Sequence, residues 1–125
     1  MAPHILLIDD ERAFAEVLAE LLAEEGYVTR RVATGEQALE LLAMSPSLPG
    51  AIICDLMLPG MDGQAVAREV RQRYPAVRLP IVLMSAGTDP RLHLRDVTFL
   101  AKPLDIGKLL DVLESLVGVP HALAR

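Results

Sequence analysis

The chain has 125 residues, a formal net charge of −5 and a single cysteine, which fits one domain that can bury about two-thirds of its unfolded surface without disulfides. Its Lys and Arg residues, 12 in all, are scattered and only 3% of residues are aromatic, so neither a basic face for phosphates nor a platform for stacked bases is expected, which argues against direct nucleic-acid binding. No apolar run approaches the ~20 residues of a membrane span, no cleavable leader is expected, and the lone Cys54 suits a reducing, cytoplasmic setting.

His4 to Ile8 forms the first apolar run and ends in Asp9 and Asp10. Phe14, Val17, Leu18, Leu21 and Leu22 then recur with helical spacing, and Gly26 is the expected left-handed cap. Tyr27 to Val32 reads as a second, more polar strand. Thr34 is placed to cap a helix carrying Ala38, Leu41 and Leu42, which Pro46 ends.

The third strand, Ala51 to Cys54, ends in Asp55. A loop with Pro59 and Gly60 leads to a helix from about Gly63 to Tyr74, opened by Asp62 and stopped by Pro75. Ile81 to Met84 is the fourth strand and ends in Ser85. Between Gly87 and Asp96 there is room for at most a short helix beginning near Pro90. Val97 to Leu100 is the fifth strand, followed by Lys102 and Pro103. A last helix carries Ile106, Leu109, Leu110, Leu113, Leu116 and Val117 on one face. One domain over 1–118 is expected, with 119–125 as a tail or the start of a linker.

Strands that alternate with helices predict βαβ units, hence an α/β three-layer sandwich around a parallel sheet. The first, third and fourth strands are almost wholly apolar, as strands covered on both faces must be. The second, with Thr29, Arg30 and Arg31, and the fifth, with Thr98, read as edges. The resulting strand order is 2-1-3-4-5, flavodoxin-like, with a shortened fourth helix. In such a sheet ligands bind beyond the carboxyl ends of the strands, at the point where the winding reverses.

Asp9, Asp10, Asp55, Ser85 and Lys102 all follow strand ends at that edge. Three carboxylates at ~4 Å repel by about 4 kcal/mol per pair at an effective dielectric near 20. A hard divalent cation offsets that repulsion, and Mg²⁺ suits a few carboxylates with positions left open for water and phosphate. An ionised carboxylate such as Asp55 has no proton to lose before it attacks phosphorus, so no general base is required and His4, His93 and His121 need not take part.

The ordered set of Asp9-Asp10, Asp55 within the run Cys54 to Gly63, Ser85-Ala86 and Lys102-Pro103 resembles the receiver domains of two-component response regulators. The resemblance spans about His4 to Val117. It implies phosphorylation of Asp55 by a histidine kinase or phosphotransfer protein. It also implies Mg²⁺ held by Asp9, Asp10, Asp55 and the backbone carbonyl of Met57. Ser85 and Lys102 would contact the phosphoryl group, Ser85 and Phe99 would form the switch, and the Lys102–Pro103 peptide would be cis, a state found in about 5% of X-Pro bonds. A downstream protein or a linked output domain would receive the signal, and the resemblance implies a homodimer as one form. Such a module is not an enzyme beyond its own phosphoryl transfer and slow autodephosphorylation.

Plainer readings stand beside these. Asp9 and Asp10 are also suited to cap the first helix, Asp55 to a turn, Ser85 to a loop and Lys102 to a solvated surface. The shortened segment before the fifth strand keeps open a degenerate receiver that docks partners without phosphorylation. A haloacid-dehalogenase-like phosphatase would need a second aspartate two residues after Asp55, where Met57 stands. Dinucleotide binding fails because no G-x-G-x-x-G follows the first strand.

Overall fold

The computed structural model describes residues 4–87 and 94–118. Five strands, β1 (His4–Ile8), β2 (Val28–Val32), β3 (Ala51–Asp55), β4 (Ile81–Ser85) and β5 (Val97–Ala101), form one parallel sheet in the order β2-β1-β3-β4-β5. Among the described residues four helices cover it: α1 (Arg12–Glu24), α2 (Gly35–Met44), α3 (Gly63–Arg73) and α4 (Ile106–Val117). The short helix expected near Pro90 falls in 88–93, outside the described residues. Among the described residues no helix is long and apolar enough to cross a membrane.

Side chains alternate across the sheet and feed two separate cores. Leu6, Ile8, Ile52, Cys54, Ile81 and Leu83 pack against α2 and α3, where Leu39, Leu42, Val66 and Val70 meet them. Ile5, Leu7, Ala51, Ile53, Val82 and Met84 pack on the other face against Leu18 and Leu22 of α1 and Leu109 and Leu113 of α4. β3 and β4 are buried at every position, whereas β2 and β5 are half-exposed edges. The polarity of Arg30, Arg31 and Thr98 thus marked the sheet's borders.

β2 begins at Val28, not Tyr27. The Tyr27 amide donates to the Leu22 carbonyl at 3.0 Å and that of Gly26 to Ala23 at 3.0 Å, the paired bonds that close a helix around a left-handed residue. Gly26 has φ +90°. Tyr27 therefore completes α1 before the strand starts. At the other end the ladders run one residue past the apolar runs, so Asp55, Ser85 and Ala101 are strand residues. Their backbones are held by neighbours: the amide of Leu56 donates to Met84 at 2.8 Å and that of Lys102 to Ser85 at 2.8 Å.

Candidate functional site

Register determines which polar groups meet. Ile8 pairs with Cys54, Cys54 with Leu83, and Leu83 with Phe99, so the next residue of each central strand lies at one level. Asp9 and Asp55 are such residues, each continuing the row of side chains that points toward α1 and α4. One ligand oxygen each from Asp9, Asp10 and Asp55 lies within 4.8 Å of the others. At that separation each carboxylate pair repels by about 3 kcal/mol at an effective dielectric of 20.

Lys102 supplies the compensating charge: its Nζ donates to Asp55 Oδ2 at 3.0 Å. The ammonium also lies 5.2 Å from the centre of the Phe14 ring on α1, within range of a cation–π attraction. Asp55 Oδ1 accepts the Met57 amide at 3.0 Å, which leaves Asp55 with one oxygen fixed by backbone and one by an ammonium. The Met57 side chain is exposed. The Lys102–Pro103 peptide is cis.

Asp9 is fully buried. Its Oδ1 accepts the Glu11 amide at 2.8 Å, while Oδ2 has no partner among the described residues. Burial raises its carboxyl above the ordinary carboxylate range. The Glu11 amide lowers it, Asp55 adds to the rise, Lys102 opposes it, and Asp10 adds a smaller rise. An unpartnered buried carboxylate oxygen beside two further carboxylates is the donor set of a hard cation, and the residues present fit Mg²⁺. The helix-capping reading of this pair gives way, because the residue that precedes α1 as its N-cap is Glu11. Asp9 instead accepts the amide of that N-cap residue from two positions upstream.

Ser85 is buried at the end of β4, and its hydroxyl accepts the Gly87 amide at 3.0 Å. Phe99 pairs with Leu83, so Ser85 and Phe99 lie on one face of the sheet, on adjacent strands. Phe99, Lys102, Pro103 and Lys108 line a cleft along the β5 edge. Below Asp55, the Cys54 thiol donates to the Asp55 carbonyl at 3.3 Å and is buried core. Its pKa is pushed up, chiefly by burial.

Two contacts at the site were not legible in the sequence. Phe14 reads as one more apolar position on the α1 stripe, and nothing in its spacing announces an ammonium above it. Arg31 reads as a polar residue of an edge strand, yet its guanidinium donates to the Asp9 backbone carbonyl.

With this geometry in view, comparison with known proteins is specific. The model of the response regulator receiver domain matches residues 5–114. A Chloroflexus aurantiacus protein assigned as a response regulator is similar at 36% identity and a TM-score of 0.78, over 92% of this chain and 98% of that one. The signal receiver domain of a signal transduction histidine kinase from Syntrophus aciditrophicus is similar at 30% identity and a TM-score of 0.83, over 99% and 94%. A response regulator receiver protein from Pseudomonas putida shares 30% identity with a TM-score of 0.82, over 92% and 98%. The chain belongs to the response regulator receiver domains, the signalling modules of two-component systems.

Proposed function

We propose that this receiver domain takes a phosphoryl group onto Asp55 from the phosphohistidine of a histidine kinase or phosphotransfer protein. The supporting observation is the convergence of three carboxylates within 4.8 Å with a lysine ammonium 3.0 Å from one of them. An Asp55 oxygen attacks phosphorus in line, the P–O bond forms as the P–N bond breaks, and the donor imidazole leaves with the electron pair. The Met57 amide keeps one Asp55 oxygen oriented. Lys102 exchanges its carboxylate contact for an oxygen of the incoming phosphoryl group, and the Ser85 hydroxyl takes another. Asp9, Asp10 and Asp55, with the backbone carbonyl of Met57, would hold Mg²⁺. A bound Mg²⁺ supplies positive charge against the phosphoryl oxygens.

The Ser85 hydroxyl oxygen accepts the Gly87 amide, which leaves its proton free to be donated to a phosphoryl oxygen. Phe99, on the same sheet face, is the residue that responds. The complete polar set supports this reading over a phosphorylation-independent docking role. The test is intact mass after incubation with acetyl phosphate. Wild type gains one phosphoryl group with Mg²⁺ and none with EDTA, and Asp55→Asn gains none. A wild type that stays unmodified under saturating donor and Mg²⁺ contradicts the proposal.

A further inference from the structure

We infer that Arg31 is a positioning residue for the carboxylate site, gripping the backbone carbonyl of Asp9 and fixing the turn from which Asp9 and Asp10 project. The inference rests on the reading of Asp9, Asp10 and Asp55 as Mg²⁺ ligands. Arg31 stands on edge strand β2, with Leu7 as its Cα partner. Its Nε and Nη2 both donate to the Asp9 carbonyl oxygen, at 3.1 and 2.9 Å. A planar group with two donors on one acceptor fixes direction as well as distance. An arginine on a sheet edge is ordinarily solvated or paired with a carboxylate. Arg31 is half-buried and makes no ion pair among the described residues.

The bond completes the immobilisation of Asp9. Its amide donates to the Val32 carbonyl at 3.1 Å, its Oδ1 accepts the Glu11 amide at 2.8 Å, and its carbonyl takes Arg31. Among the described residues nothing partners Oδ2, the remaining polar atom of Asp9. The same carbonyl belongs to the peptide plane that leads into Asp10, whose side chain is exposed. Mutual repulsion drives the three carboxylates apart, and the grip on the backbone opposes it. Partners that orient a metal ligand in this way typically change affinity by about 10–100-fold when removed.

Charge and geometry predict opposite signs. A guanidinium near a cation site repels the cation, so if Arg31 acted by charge alone its removal would tighten Mg²⁺ binding. The experiment is an Mg²⁺ titration of the full chain, followed by amide NMR shifts of residues near the site. Arg31→Met is expected to weaken Mg²⁺ binding about tenfold. Arg31→Lys, which keeps the charge and loses the planar donor pair, weakens it several-fold. Arg30→Met, the same charge change on an exposed neighbour, leaves binding within about twofold of wild type. The same spectra report folding through their dispersion, and if Arg31→Met is unfolded, Arg31→Lys decides. Arg31 variants that bind Mg²⁺ as tightly as wild type, or tighter, overturn the inference even if their melting temperature falls. A wild type without Mg²⁺-dependent shifts removes the metal reading, and this inference with it.

Discussion

Asp9 shows most clearly what the site costs the fold. A fully buried carboxylate normally finds a partner for each oxygen, and among the described residues Asp9 has one for Oδ1 alone. Burial raises its pKa from the usual 3.8, so the folded chain holds this proton more tightly than the unfolded one. Its favourable contribution is therefore fully present below about pH 4 and is lost as pH rises through the folded-state value. At neutral pH the charged form weighs against folding. Asp9→Asn keeps an acceptor for the Glu11 amide and removes the charge. Metal-free Asp9→Asn is expected to be more stable than wild type at pH 7 by on the order of 1 kcal/mol, the gain vanishing at acid pH. Urea unfolding across pH measures this, and a variant less stable than wild type at pH 7 counts against the account.

Between elements, two contacts hold the site edge and the opposite edge of the sheet in place. Gly63 opens α3 where a Cβ would stand 2.8 Å from both the Asp55 carbonyl oxygen and the Leu56 Cα. Both neighbours are backbone, so Gly63→Ala must push α3 away from the end of β3. A loss of about 1–3 kcal/mol in urea unfolding is expected, and a variant as stable as wild type would show that the helix retreats freely. At the far edge, the buried Arg71 of α3 donates to the carbonyls of Leu79 at 2.6 Å, Arg95 at 2.7 Å and Asp96 at 2.9 Å. It thereby ties α3 to the segments that lead into β4 and β5. Arg71→Met strands those acceptors and is expected to cost about 3 kcal/mol or more, again by urea unfolding; a loss under 1 kcal/mol would mean that water replaces the guanidinium. Neither tie is written in residue types. Helix periods, the caps at Thr34 and Asp62, and the Gly26 turn were legible because they depend on neighbours in sequence. Arg71 and Arg31 bind main-chain carbonyls contributed from distant segments, and every residue carries a carbonyl.

Across the whole molecule, the strand order was legible because burial on both faces demands apolar side chains along nearly the whole strand, and β1, β3 and β4 carry a single polar residue each, at an end. The meeting of Asp9, Asp10, Asp55 and Lys102 followed from the same logic, since a parallel sheet brings all its carboxyl ends to one edge. What sequence alone left open was how far the ladders reach. By extending to Asp55 and Ser85 they hold those residues by strand bonds, so that the acceptor carboxylate proposed here starts from a rigid backbone. The most direct test of that role traps the product chemically. Borohydride reduces an aspartyl phosphate to homoserine, and peptide mass spectrometry then locates the changed residue. After incubation with acetyl phosphate and Mg²⁺, homoserine is predicted at position 55 and nowhere else; unreduced Asp55 alongside phosphate on another residue would contradict it.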